Sequence, residues 1–169
     1  MQTTVAATRA GETGMATGGG KFLTFTLGRE EYGLPVLKVR EIIKMMDITH
    51  VPQVAAHVLG VINLRGKVIP VIDLRRKFGF QAQDPTERTC IIVADVVLTS
   101  ATVLMGVVVD TVSEVVNVMA SEVEQPPDFG GQRTNDYLLG LAKVKGGVKI
   151  LLDLDRVLGS DGTLAIRPA

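Results

Sequence analysis

The fold of this 169-residue chain is decided by a stretch that occurs twice, LGVINLRG at residues 59–66 and LGLAKVKG at residues 139–146. The match runs on without a gap beyond Asp73, which corresponds to Asp153. Self-similarity at a constant spacing is typical of a repeated structural unit. The sequence therefore predicts two related units in one chain.

A second match lies upstream and extends the repeat. Four residues of the first half correspond, at one constant spacing, to four of the second, namely Gly33, Val36, Val39 and Glu41 to Gly106, Val109, Val112 and Glu114. Both matches occur in the same order along the chain. We therefore predict a first subdomain over about residues 21–85 and a second over about residues 88–159, with the chain crossing back between them.

Each unit consists mainly of short β patterns. Runs of β-branched and apolar residues, separated by glycine or polar turns, cover residues 58–63, 68–72, 90–94, 103–109, 112–118, 138–144 and 148–152. This spacing is typical of small barrels or a sandwich. We therefore predict a mainly β fold.

Helices and chain ends complete the expected organisation. Short helices are predicted at residues 74–78 and 154–158, each after an aspartate suited to an N-cap, and a further helical turn near residues 37–43. The glycine-rich start at residues 1–20 is predicted to be a flexible arm, and residues 160–169 a C-terminal tail.

The composition favours an intracellular protein without a nucleic-acid partner. Hydrophobic residues make up 46% of the chain, and 18 basic residues balance 18 acidic ones, which argues against a broad phosphate-binding surface. The single cysteine, Cys90, cannot form an internal disulfide and fits a reducing compartment. Because the longest uncharged stretch is too short to span a bilayer, we expect a cytoplasmic protein.

The residues of an active site are not recognisable in the sequence. A zinc site needs about four suitably spaced ligands, and the chain has only two histidines and one cysteine. Cys90 begins an apolar run and is interpreted as a packed thiol rather than a nucleophile. Phosphate-cradling loops and nucleophile motifs are also missing. We therefore expect no catalytic residues, metal or cofactor.

Arg65 is the strongest polar candidate for a specific role, and two interpretations of it remain open. It stands at the end of an apolar strand beside the glycine of a tight turn. It is either a solvated turn residue or the partner of a carboxylate, such as Glu41, in a bidentate contact that orients a binding surface. Val39 is equally open between a core position and an exposed anchor, because periodicity does not separate the two.

The chain resembles the CheW family of chemotaxis coupling proteins in several motifs. They are EYGLPV at residues 31–36, GVINLRG at 60–66, VIPVIDLR at 68–75 and GVVVD at 106–110. The likeness extends over nearly everything after the N-terminal arm. It implies two five-stranded SH3-like β-barrels packed around a shared core, with short helices, as one CheW-like domain over residues 21–159.

The resemblance also implies a function and a set of site residues. Members are non-enzymatic scaffolds that link the cytoplasmic tip of methyl-accepting chemoreceptors to the regulatory domain of the histidine kinase CheA. Such a protein would be monomeric when isolated and would reach the membrane only through receptor arrays. Carried over by position, the receptor-binding groove would contain Val36, Val39, Glu41, Gly60, Arg65, Val112 and Val115. The kinase would contact the exposed barrel edge of the first half.

One alternative stays open within the same family. A CheW-like adaptor can serve a non-flagellar chemosensory system that controls twitching motility or gene expression. The sequence does not distinguish the two settings.

Overall fold

The structure is a computed structural model, and it describes residues 19–99, 101–126, 137–144 and 146–159. The predicted C-terminal tail and all but the last two residues of the predicted N-terminal arm lie outside this range. Within it the chain forms eleven strands, two short α-helices and two 3-10 turns. The strands are β1 (Gly20–Leu27), β2 (Glu30–Pro35), β3 (Val39–Lys44), β4 (Val58–Leu64), β5 (Lys67–Asp73), β6 (Cys90–Val97), β7 (Thr102–Val109), β8 (Thr111–Val118), β9 (Val123–Glu124), β10 (Leu138–Val144) and β11 (Gly147–Leu152). The helices are α1 (Leu74–Lys77) and α2 (Leu154–Gly159), and the 3-10 turns are Val36–Lys38 and Ala120–Glu122.

The strands form two sheets, and each sheet contains strands from both halves of the chain. Sheet A has the order β8-β1-β2-β11-β10-β9, and sheet B has the order β3-β6-β7-β5-β4. Strands β1 and β2 of the first half therefore pair with strands of the second half, and β6 and β7 lie in the sheet of β3, β4 and β5. The sheets divide the chain differently from the sequence repeat.

The repeat is nonetheless visible in the strand register. Gly33 of β2 lies beside Leu151 of β11 in a parallel pair, and Gly106 of β7 lies beside Val71 of β5 in the equivalent pair. A Cβ at Gly106 would come within 2.7 Å of a methyl group of Ile91, so this crossing needs a glycine. The two sheets are therefore built on one plan.

Three apolar clusters fill the interior. One lies inside sheet A around Phe22 and Leu151, and one inside sheet B around Ile69 and Ile91. The largest lies between the sheets, because strands such as β6 point alternate residues to opposite faces. In β6 Ile91 and Val93 point into the barrel of sheet B, while Ile92 and Ala94 point to the shared core.

This architecture confirms the predicted fold class of two SH3-like barrels around a shared core and adds two details. Sheet A has six strands because it includes the two-residue strand β9. In the described residues neither sheet is closed by a hydrogen-bonded ladder between its first and last strands.

A short helix follows each of β5 and β11, as predicted, and each begins after an aspartate N-cap. Asp73 accepts a hydrogen bond from the backbone N–H of Arg75, and Asp153 accepts one from that of Arg156. The helical turn predicted near residues 37–43 is wrong for most of that stretch. A 3-10 turn ends at Lys38, and Val39–Lys44 is an edge strand, because its β-branched residues pair with β6.

Candidate partner-binding surface

Arg65 lies at the tip of the hairpin between β4 and β5. It has a φ of 53° and the following Gly66 a φ of 88°, and positive φ at both central residues is typical of a tight two-residue hairpin turn. The side chain of Asn63 accepts a hydrogen bond of 2.8 Å from the backbone N–H of Gly66. The backbone therefore holds Arg65 in one orientation, with 68% of its side chain exposed.

The carboxylate of Glu41 binds the guanidinium of Arg65. Arg65 Nη1 donates to Glu41 Oε2 at 3.1 Å, and Nη2 donates to Oε1. Of the two interpretations of Arg65, the structure therefore has the bidentate one. The hydrogen bond from Arg65 lowers the pKa of Glu41, and that carboxylate in turn raises the pKa of Arg65.

The pair connects the two edges of sheet B. Glu41 belongs to β3 at one edge, and Arg65 follows β4 at the other. Next to it the backbone of Thr49 exchanges two hydrogen bonds, of 2.8 and 2.9 Å, with Val61. Side-chain and backbone contacts together draw the curled sheet towards closure at this end.

Gly60 makes that closure possible. It is buried, has a φ of 144°, and a Cβ at this position would lie 2.0 Å from the carbonyl oxygen of Thr49. Gly140 is its counterpart in sheet A, with a φ of 159° and a would-be Cβ 2.6 Å from Val123 of β9. Both glycines admit an extra strand segment at the same place in the repeat.

Three of the four valines of the predicted groove lie where the sheets meet. Val36, Val39 and Val112 are partly buried and pack against the shared core, while Val115 is 55% exposed. Val39 faces Ala94 across β3 and β6, and Val112 faces Phe25 across β8 and β1. These two pairings are equivalent in the repeat. Val39 and Val112, which correspond in sequence, therefore also occupy corresponding positions in the two sheets.

The structure brings only part of the predicted set together. Glu41 and Arg65 line a cleft of sheet B, together with apolar residues that the sequence did not single out, among them Val61, Leu64, Val68, Pro70 and Val103. The other five predicted residues do not line this cleft. Val112 and Val115 belong to β8 of sheet A.

A second apolar cleft lies beside sheet A at the matching place. It is lined by aromatic and aliphatic residues, chiefly Tyr32, Phe78, Phe80, Tyr137, Leu141, Val148 and Ile150. Val68 and Val148 are equivalent in the repeat and are 67% and 52% exposed. The sequence shows that these two valines match in the repeat, whereas their exposure beside the clefts is visible only in the structure.

Groupings typical of metal sites or membrane spans are not found in the described parts of the chain. No three histidine, cysteine or acidic side chains are arranged there to hold a metal ion. None of the helices within those ranges is long and apolar enough to cross a bilayer. Cys90 is partly buried and packs against the shared core.

Comparison with known proteins gives consistent matches over most of the chain. The family model of the CheW-like domain matches residues 21–162. The chemotaxis protein CheW of Klebsiella aerogenes is 39% identical over 145 residues, which are 86% of this chain and 85% of that protein. That of Rhizobium meliloti is 33% identical over 147 residues, 87% of this chain and 92% of that protein. The crystal structure of the scaffolding protein TtCheW from Thermoanaerobacter tengcongensis is similar with a TM-score of 0.74 and 32% identity, over 85% of this chain and 95% of that one.

Proposed function

Because this chain belongs to the family of CheW-like domains, we propose that it is a non-enzymatic adaptor that couples chemoreceptors to the histidine kinase CheA in chemotaxis signalling. The similar proteins are named as chemotaxis or scaffolding proteins, and the matches cover most of their length. The structural observation that carries the proposal is Arg65, an exposed cation held in one orientation by Glu41 beside exposed apolar residues. A fixed charge next to an apolar surface suits specific protein recognition.

The receptor is proposed to bind along the seam between the sheets. A helical hairpin tip would place apolar anchors against Val36, Val39 and Val112, which pack against the shared core, and against the exposed Val115 of β8. Glu41 and Arg65 would border this contact and orient the incoming helices. Gly60 would act indirectly, because it allows the close approach of Thr49 that shapes this end of sheet B.

The kinase is proposed to contact the outer edge of sheet B. Val68, on β5 next to the edge strand β4, is 67% exposed, and Val61 of β4 lies beside the same cleft. An exposed apolar surface of this kind is suited to a partner barrel with a similar face. The two proposed contacts adjoin at this cleft, because Glu41 and Arg65 line it as well.

Kinase activation in a reconstituted mixture tests the proposal. The purified protein, a receptor cytoplasmic fragment and CheA are combined, and autophosphorylation of the kinase is measured. We expect Arg65→Ala to abolish receptor-dependent activation while the melting temperature stays within a few degrees of wild type, because the pair is exposed.

Lys143→Ala is the matched control for this substitution. It removes another exposed cross-strand ion pair, that between Lys143 and Glu124 of sheet A, and is expected to leave activation intact. Normal activation by a folded Arg65→Ala protein would contradict the role of Arg65. Failure of the wild-type protein to bind either partner would overturn the adaptor function itself.

A further inference from the structure

The loop between β7 and β8 carries a carboxylate that joins the two sheets. Asp110 accepts a hydrogen bond of 2.8 Å from the backbone N–H of Gly28, at the end of β1 in sheet A. The same carboxylate binds Nε and Nη2 of Arg75 at 2.8 and 2.9 Å, and Arg75 belongs to α1, which follows β5 of sheet B. Asp110 is therefore the centre of a first junction between the sheets.

A second junction has the same parts in the other half of the chain. Asp155 of α2, which follows β11 of sheet A, accepts a hydrogen bond of 2.7 Å from the backbone N–H of Val97 at the end of β6 in sheet B. It also binds Nζ of Lys38 at 2.9 and 3.0 Å. Lys38 lies where the chain passes from β2 of sheet A to β3 of sheet B.

The strand register shows that the two N–H donors are equivalent. Thr24 faces Gly33 and Val93 faces Gly106, which are matched glycines of the repeat. Gly28 and Val97 each lie four residues further along their strands. The same backbone group therefore donates to a carboxylate in both junctions.

The charges of the two junctions are exchanged. Arg75 and Asp155 are both the second residue of their helix, after Asp73 and Asp153 as N-caps. In the first junction the helix supplies the cation, and the crossover, which is the connection from β7 to β8, supplies Asp110. In the second junction the helix supplies the carboxylate, and the crossover from β2 to β3 supplies Lys38. The helix positions correspond in the repeat, whereas Asp110 corresponds to Leu37, one residue before Lys38. The fold thus accepts either arrangement of charges, with the crossover charge on neighbouring positions and a carboxylate kept for the strand N–H.

The location of the junctions connects them with the proposed receptor contact. Lys38 lies between Val36 and Val39, and Asp110 lies two residues before Val112. Their side chains are largely shielded from water, with exposed fractions of 21% for Lys38 and 26% for Asp110. Shielded charge pairs with fixed geometry hold their elements more firmly than exposed ones do.

We propose that Lys38, Arg75, Asp110 and Asp155 are positioning residues, which fix the two crossovers and so set the relative placement of the sheets at the seam. The structural role of these residues is independent of the proposed function. Only its consequence, the alignment of Val39 and Val112 towards a receptor, rests on that function. The exchanged charges lead to a specific expectation. A junction rebuilt with the charges of its counterpart works as well as the original one.

The experiment converts the second junction into the arrangement of the first. Lys38→Asp alone places two carboxylates together, and Asp155→Arg alone places two cations together and removes the acceptor for the N–H of Val97. The double variant Leu37→Asp/Asp155→Arg, made in a Lys38→Thr background, rebuilds the first junction, because Leu37, Lys38 and Asp155 correspond to Asp110, Thr111 and Arg75. We expect each single variant to bind the receptor fragment about tenfold more weakly and the double variant to recover wild-type affinity.

A distance measurement makes the test independent of receptor binding. Spin labels are attached at Lys44→Cys in sheet B and Lys143→Cys in sheet A, in a Cys90→Ser background, and the interlabel distance distribution is recorded. The single variants should shift or broaden the distribution, and the double variant should restore it. If a single reversal does not fold, Lys38→Met gives the same comparison without a repulsive charge.

The outcomes separate this proposal from the adaptor function. Unchanged distances and affinity in the folded single variants, or no recovery in the double variant, would overturn the role of the junctions. If the wild-type protein binds no receptor fragment, the adaptor function fails, while the distance distributions still decide the junctions.

Discussion

The interiors of the two barrels differ although their strands occupy matched positions. Inside sheet B, Ile69 belongs to an apolar cluster with Ile91 and Val93. The residue of sheet A that corresponds to Ile69 is Lys149, whose side chain is only 11% exposed and whose ammonium is paired with Glu31. Leu104 stands in sheet B where Glu31 stands in sheet A. The same backbone plan thus tolerates an apolar contact in one copy and a shielded ion pair in the other.

A second difference of the same kind is found on the central strands. Val93 belongs to the apolar cluster of sheet B, whereas its counterpart Thr24 is fully buried in sheet A. Thr24 Oγ1 donates to the carbonyl of Glu114 at 2.9 Å and accepts from its N–H at 3.1 Å. Thr24 and Lys149 each have a polar partner in this interior, which avoids the free-energy cost of burying them unpaired. The shared plan therefore requires that buried polar groups be paired, and not that every interior position be apolar.

The largest effect on stability is expected when a lysine is placed inside sheet B, at the position that corresponds to Lys149. Ile69→Lys would bury an ammonium beside Leu104, where the carboxylate of Asp95 on the neighbouring strand is already paired with Arg40, and should lower the free energy of unfolding by about 3–5 kcal/mol or prevent folding. Urea denaturation measures the loss. Ile69→Met, with similar volume, is the control and should cost less than about 1.5 kcal/mol. Equal losses in the two variants would contradict the difference between the interiors.

A smaller effect is expected when the ion pair of sheet A is broken. Glu31→Gln removes the carboxylate that neutralises Lys149 and should destabilise the protein by about 1–3 kcal/mol, because the amine stays shielded from water. The double variant Glu31→Leu/Lys149→Ile copies sheet B and should recover most of that stability. Urea midpoints of the three proteins form the test, and a double variant less stable than Glu31→Gln would show that the barrels are not interchangeable.

The smallest effect on stability is expected at the exposed pair that links the edges of sheet B. Arg65→Ala should raise the pKa of Glu41 towards its ordinary value, because the guanidinium is the main cause of the lowered pKa. In the wild type the pair stabilises the fold above the unfolded-state pKa of about 4.3, and this contribution is lost as the pH falls through the lower folded-state pKa. Carboxyl NMR titration measures both values. An unchanged Glu41 pKa in Arg65→Ala would exclude a persistent pair in solution.

Residue types and spacing predicted much of the fold. The ungapped repeat located the turn glycine Gly66 and the helix N-caps Asp73 and Asp153, because turns and caps depend on local chemistry. It led us to expect that the chain crosses back between the units, but it did not predict which strands pair in which sheet, since pairing depends on contacts distant in sequence. The stretch from Val39 was misjudged as helical because its apolar residues fit a short helix as well as an edge strand.

The sequence supplied the two residues of the Glu41–Arg65 pair but not the arrangement around them. Arg65 and Glu41 were identified, and their contact was one of two open interpretations. The role of Gly60 in admitting Thr49 depends on a close approach between backbones that no sequence pattern displays. Lys38 and Asp155 were overlooked because they are 117 positions apart in the chain and meet only after both sheets have formed.

The strand exchange has a consequence for how the chain acquires its structure. Neither half can complete a sheet alone, since β2 needs β11 as a neighbour and β7 needs β5. The decisive pairings therefore join residues far apart in sequence, which slows folding and makes intermediates with one finished barrel unfavourable. In effect the protein is an intramolecular counterpart of a domain-swapped dimer, and its two repeats are expected to fold and unfold together.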